Sequence, residues 1–79
     1  MRLAFFQFCP VRGDPQPNIA RIRRALDGLE ADLVVMPELA TTGYMFQSRH
    51  QAGELAEDRE GPTVEALADA CRRGSFHAV

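Results

Sequence analysis

The sequence predicts an α/β fold with parallel strands, on three observations. Residues 3–8 form a dense apolar run, residues 17–28 carry apolar side chains at helical spacing, and residues 33–36 form a second apolar run. Strand, helix and strand in that order make a right-handed βαβ unit with parallel strands. At 79 residues the chain is about half the ~150 residues of an average domain, so it holds at most one small domain.

The first run is apolar at nearly every position, which suits a strand covered on both faces, and it stops at Pro10. Arg12-Gly13-Asp14-Pro15 is turn chemistry. From Pro17 the apolar residues Ile19, Ile22, Leu26 and Leu29 recur at helical spacing, with Arg21, Arg23, Arg24 and Asp27 on the other faces, which predicts a helix over 17–28. After Glu30-Ala31-Asp32, residues 33–36 are short, contain β-branched side chains and are bounded by Pro37, as a second buried strand would be.

Residues 41–60 read less plainly. Thr42-Gly43 is a turn, and residues 51–58 suit a short polar helix around Leu55. Gly61-Pro62-Thr63 starts a helix, with proline at its first position, and Val64, Leu67, Ala68 and Cys71 keep the spacing. Arg72 and Arg73 complement the dipole of its last turn, and Gly74 ends it. Phe76, Ala78 and Val79 open a third strand. With the helices on one side, the other face of such a sheet is bare, whereas parallel sheets are normally covered on both. The expectation is therefore a piece of something larger.

A hydrophobic fraction of 46%, a charged fraction of 25% and a net charge of −2 exclude a disordered or strongly basic chain and argue against nucleic acid as the partner. Gln7 interrupts the first apolar run too early for a signal-peptide core, and residues 33–36 fall far short of the ~20 needed to span a bilayer, so a protein of the cytoplasm without membrane attachment is expected. All nine basic residues are arginine, which excludes lysine-amine chemistry from within these residues. Cys9 and Cys71 lie far apart with no Cys-x-x-Cys spacing, so neither a disulfide framework nor a zinc site is signalled.

The chemistry concentrates at Glu38. In an open parallel sheet, ligands bind beyond the carboxyl ends of the strands, and Glu38 stands there, just past Pro37. Proline ends the ladder and fixes the direction in which the next residue leaves. Met36, Leu39 and Ala40 would partly desolvate the carboxylate, a setting useful to a general base or acid. The bland alternative is a carboxylate that caps a neighbouring helix or pairs with an arginine. Tyr44 and Phe46 follow on a segment able to line a pocket, where Tyr44 is a candidate for substrate binding and an anchoring role is the alternative. Cys9 ends the first strand and tempts as a nucleophile, but the sequence shows no electropositive or His-paired setting for it. Cys71 falls on the apolar stripe of the last helix, while His50 in the long loop and His77 in the final strand have no partner at relay spacing.

Taken together, Gln7-Phe8, Gly13-Asp14, Asn18, Ala31-Asp32-Leu33-Val34-Val35-Met36-Pro37-Glu38-Leu39, Thr42-Gly43-Tyr44 and Gly61-Pro62-Thr63 resemble the N-terminal part of the nitrilase (carbon-nitrogen hydrolase) superfamily. The resemblance covers the whole chain and implies that residues 1–79 are the N-terminal βαβ(α)β part of a four-layer α-β-β-α sandwich, incomplete here. It also implies a Glu-Lys-Cys triad in which Glu38 matches the glutamate, the lysine and cysteine lying downstream of anything matched. The implied substrate is a small amide, carbamoyl compound or nitrile, with no metal or organic cofactor and a homo-oligomer at full length. These residues alone would be inactive. The competing reading is a small non-catalytic α/β binding module that needs a partner to cover its sheet.

Overall fold

Six elements run along the computed structural model, which describes all 79 residues. They are β1 (Leu3–Phe5), α1 (Pro15–Leu26), β2 (Leu33–Val35), α2 (Arg49–Leu55), α3 (Pro62–Gly74) and β3 (His77–Ala78). The strands form one parallel sheet in the order β1-β2-β3, with Leu3 opposite Leu33, Phe5 opposite Val35, and Val34 opposite both Ala4 and Ala78. Both crossovers step the same way across the sheet, and right-handed crossovers in one direction put their helices on one face. That face is the core: Phe8, Ile22, Leu26, Val34 and Phe76 are buried together, with Leu67, Ala70 and Cys71 of α3 packed against them. Val34, in the central strand, is only 1% exposed.

The opposite face is bare. Leu3 is 69% and Phe5 80% exposed, and Val35 is exposed beside them. The expectation of a first strand covered on both faces therefore fails for these residues, while the single helical layer inferred from element order holds. The first strand is also shorter than residues 3–8. Its partner β2 is three residues long, and after Phe6 N–H donates to the Val35 carbonyl (2.9 Å) the chain leaves the ladder. Phe6 then stacks on Phe8, with ring centroids 4.7 Å apart, and Phe8 turns into the core beneath the Arg21 guanidinium, 5.2 Å from its ring centre.

Helix α1 begins at Pro15, two residues before the expected start, because both Pro15 and Pro17 sit in a first turn whose N–H groups have no intrahelical partner anyway. It ends at Leu26, and Gly28, at φ 72°, turns the chain back toward β2. The short polar helix lies at 49–55 in place of 51–58. Ser48 Oγ accepts from Gln51 N–H (3.0 Å) while Gln51 Oε1 accepts from Gln47 N–H (2.6 Å), a reciprocal start signal that fixes its first turn. Helix α3 starts at Pro62, as expected, with the Glu57 carboxylate accepting from both Thr63 N–H and its hydroxyl. Its end differs: Gly74 is still helical, and the left-handed residue is Ser75 (φ 56°). Glycine is required at 74 for another reason, since a Cβ there would collide with the ring of Phe76. No helix is long and apolar enough to cross a membrane.

Candidate functional site

Beyond β2 the chain makes a turn held at both ends. Met36 N–H still donates to the Val79 carbonyl (2.8 Å), and Pro37 then offers no donor to extend the ladder. Glu38 leads the turn. Leu39 adopts φ 51°, a left-handed conformation that costs a non-glycine residue about 1–2 kcal/mol. Its carbonyl accepts from Thr42 N–H (3.2 Å) and Gly43 N–H (2.9 Å), which offsets part of that cost. Gly43, at φ 76°, takes the left-handed conformation that glycine adopts freely, and a Cβ there would make no more than van der Waals contact with Arg12, 3.6 Å from its Cα.

These dihedrals fold the turn back on itself. Tyr44 comes alongside Glu38, and its hydroxyl donates to Glu38 Oε2 at 2.7 Å. The second oxygen, Oε1, has no hydrogen-bond partner among the residues of the chain. The bond to Glu38 holds the Tyr44 phenol above its ordinary pKa of 10.0, with partial desolvation and the negative charge of Glu38 acting in the same direction. A raised folded-state value favours the protonated donor, so whatever stability this contact contributes is present below the ordinary phenol value and lost as pH rises through the raised one. Glu38→Ala removes both the acceptor and the charge, and the Tyr44 pKa should fall back toward ~10. Tyr44 is the only tyrosine of the chain, so ultraviolet titration of tyrosinate reads it directly. An unchanged titration midpoint would mean the contact is not made in solution.

The structure thus brings together two of the residues singled out in the sequence, Glu38 and Tyr44, while Tyr44 is exposed and borders neither hollow of the surface. It does not build the apolar surround expected from Met36, Leu39 and Ala40: Glu38 is exposed, and Leu39 is itself 45% exposed. Phe46 is half-buried and, with Leu39, Thr42, Leu55 and Val64, walls a groove of about 450 Å³ beside the turn. A larger hollow of about 610 Å³ lies between the C-terminal ends of α1 and α3, where Arg23 and Arg73 both pair with Asp69, and no residue of the Glu38 turn borders it.

The remaining candidates stay apart. Cys9 is exposed, four residues past β1, and its Sγ reaches only the Pro10 carbonyl at 4.0 Å. Cys71 is half-buried against the core, as its place on the apolar stripe predicts. His50 lies on α2, not in a loop, and pairs with Glu54 one turn on (3.2 Å). His77 is exposed on β3. No three His, Cys, Asp or Glu side chains are grouped to hold a metal ion.

Sequence reasoning passed over the tie between the turn and the segment after β1. Asn18, on α1, hydrogen-bonds to Val11 and Thr41, and Gly13 N–H donates to the Thr42 carbonyl (3.0 Å). The one available signal was a polar residue next to Ile19, in the first half of an amphipathic helix.

The profile of the family described as carbon-nitrogen hydrolase matches residues 2–79. The chain belongs to the carbon-nitrogen hydrolase family. A protein named "Hydrolase in pqqF 5'region" from Pseudomonas protegens is 37% identical over 70 residues, covering 86% of this chain and 24% of its own length. A "Nitrilase" from Pyrococcus abyssi is 33% identical over 83 aligned positions, covering all of this chain and 32% of its own length. The chain thus spans a quarter to a third of these curated relatives. The resemblance read from the motifs is borne out, and the three-stranded parallel sheet with its helices fits the N-terminal part of a nitrilase-like carbon-nitrogen hydrolase.

Proposed function

We propose that these residues are the N-terminal part of a single hydrolase domain that cleaves a non-peptide carbon-nitrogen bond, with Glu38 as its general base. The observation that carries this reading is the state of Glu38. It stands at the carboxyl end of the central strand in a turn with fixed backbone, one oxygen held by Tyr44 and the other open.

In the reaction, Glu38 takes the proton of a cysteine thiol supplied from downstream, and the thiolate attacks an amide, carbamoyl or nitrile carbon. A downstream lysine stabilises the tetrahedral intermediate. For an amide, ammonia or an amine leaves with a proton, a thioacyl-enzyme remains, and water, deprotonated by Glu38, releases the acid. Tyr44 holds the carboxylate in one rotamer and presents an aromatic edge to the substrate. In this reading a second sheet covers the bare face and completes the four-layer sandwich. The complete protein is a homo-oligomer of the cytoplasm that needs neither metal nor organic cofactor.

The test is ammonia release from a panel of small amides, N-carbamoyl amines, ω-amides, glutamine and nitriles, with the natural gene product identified by intact mass. Turnover by a product ~200 residues longer, and none by residues 1–79 alone, is the expected result. A natural product that ends at Val79 and hydrolyses nothing would overturn the proposal and leave a partner-binding module.

A further inference from the structure

One side chain ties the turn that carries Glu38 to the rest of the fold. Asn18, in the first half of α1, is 1% exposed, the most buried polar residue of the chain. Its Oδ1 accepts from Val11 N–H at 2.7 Å. Its Nδ2 donates to the carbonyls of Val11 (2.7 Å), Asp14 (3.1 Å) and Thr41 (2.8 Å), so two N–H bonds are shared among three acceptors. The contact to Thr41 crosses 23 positions of sequence and joins the segment after β1 to the turn after β2. Gly13 N–H, donating to Thr42, is the second tie between those segments.

The geometry matters because these two ties hold one side of a turn whose other residues, Glu38, Leu39 and Tyr44, are exposed. Its near end is set by the ladder at Met36 and its far end by Asn18, and between them Leu39 and Gly43 hold positive φ angles that bring Tyr44 to Glu38. Releasing the far end lets residues 39–43 relax, and the carboxylate then loses its defined direction.

We infer that Asn18 is a positioning residue for Glu38, acting through the backbone of Thr41 and not by contact with substrate. The inference rests on the general-base reading of Glu38. Misplacing a reacting group by about 1 Å is able to cost ~10²-fold, so Asn18→Ala in the full-length protein should lower kcat by about 10- to 100-fold with KM within about twofold. Below its melting temperature the same variant should let the Tyr44 pKa fall toward its ordinary value, because the Tyr44–Glu38 contact depends on the turn. That titration is read in the full-length protein with carbon-13-labelled tyrosine, the Tyr44 signal being the one lost in Tyr44→Phe. Asn18→Ser, which keeps one donor, gives the same two readouts at smaller amplitude if the alanine variant does not fold.

A purely structural role predicts a lower Tm with kcat and the Tyr44 titration per folded molecule unchanged. Either readout staying at its wild-type value in a folded variant overturns the inference. Glu38→Gln separates the two layers: if that variant retains wild-type kcat, the general-base reading fails, and the Tyr44 titration alone decides whether Asn18 holds the turn.

Discussion

If Glu38 is the base proposed above, Glu38→Gln in the full-length protein is expected to lower kcat by about 10²- to 10⁴-fold, the range that a positioned acid-base group contributes. Glutamine has the same shape and still accepts from Tyr44, but it has no lone pair basic enough to take a thiol proton. In residues 1–79 the side chain is exposed and makes a single hydrogen bond, so the stability of that chain should stay within about 0.5 kcal/mol of wild type, as for surface changes generally. Loss of turnover at unchanged Tm is thus a loss of chemistry and not of fold. Steady-state kinetics beside a thermal melt checks both halves, and a variant keeping more than a tenth of wild-type kcat would remove Glu38 from the role of base.

The second large effect runs against helix propensity. In an exposed helix, Gly→Ala stabilises by about 0.5–1 kcal/mol. At position 74 the sign should reverse, with Gly74→Ala destabilising by about 1–3 kcal/mol, the usual cost of forcing atoms into a filled site. The reason is Phe76, 4% exposed among Phe8, Ile22, Leu26 and Val34, whose ring lies where the new methyl group would go. Either the ring leaves the core or the last turn of α3 unwinds. Denaturant titration measures the difference, and a stabilised alanine variant would show that the ring does not occupy that space.

Why the element order was readable and the boundaries were not has a local explanation. Ile19, Ile22 and Leu26 repeat at helical spacing and all three are buried, and Gly61-Pro62 is a start signal that needs no tertiary help. The misplaced edges are those set by partners. Strand β1 stops where β2 stops, and α2 starts where Gln51 N–H donates to Ser48 Oγ and the Gln51 side chain accepts from Gln47 N–H, inside a polar stretch without periodicity. The site divides in the same way. Pro37 after an apolar run places Glu38 at a strand end from sequence alone. The bond from Tyr44, however, needs a left-handed leucine, and the Asn18 contact spans two distant turns, so neither has a signature in the order of residues. The expected desolvation of Glu38 failed because proximity in sequence to Met36, Leu39 and Ala40 does not put their side chains around the carboxylate.

The uncovered sheet face also decides how a preparation of these residues should be judged. Fluorescent dyes that light up on apolar surface are commonly taken to mark a molten globule, a state with secondary structure but loosened packing. Here Leu3, Phe5 and Val35 offer such a surface on a chain whose core is closed on the other side. A strong dye signal from residues 1–79 would therefore accompany correct folding, and only near-ultraviolet dichroism or dispersed side-chain resonances would tell a loosened core from a native one.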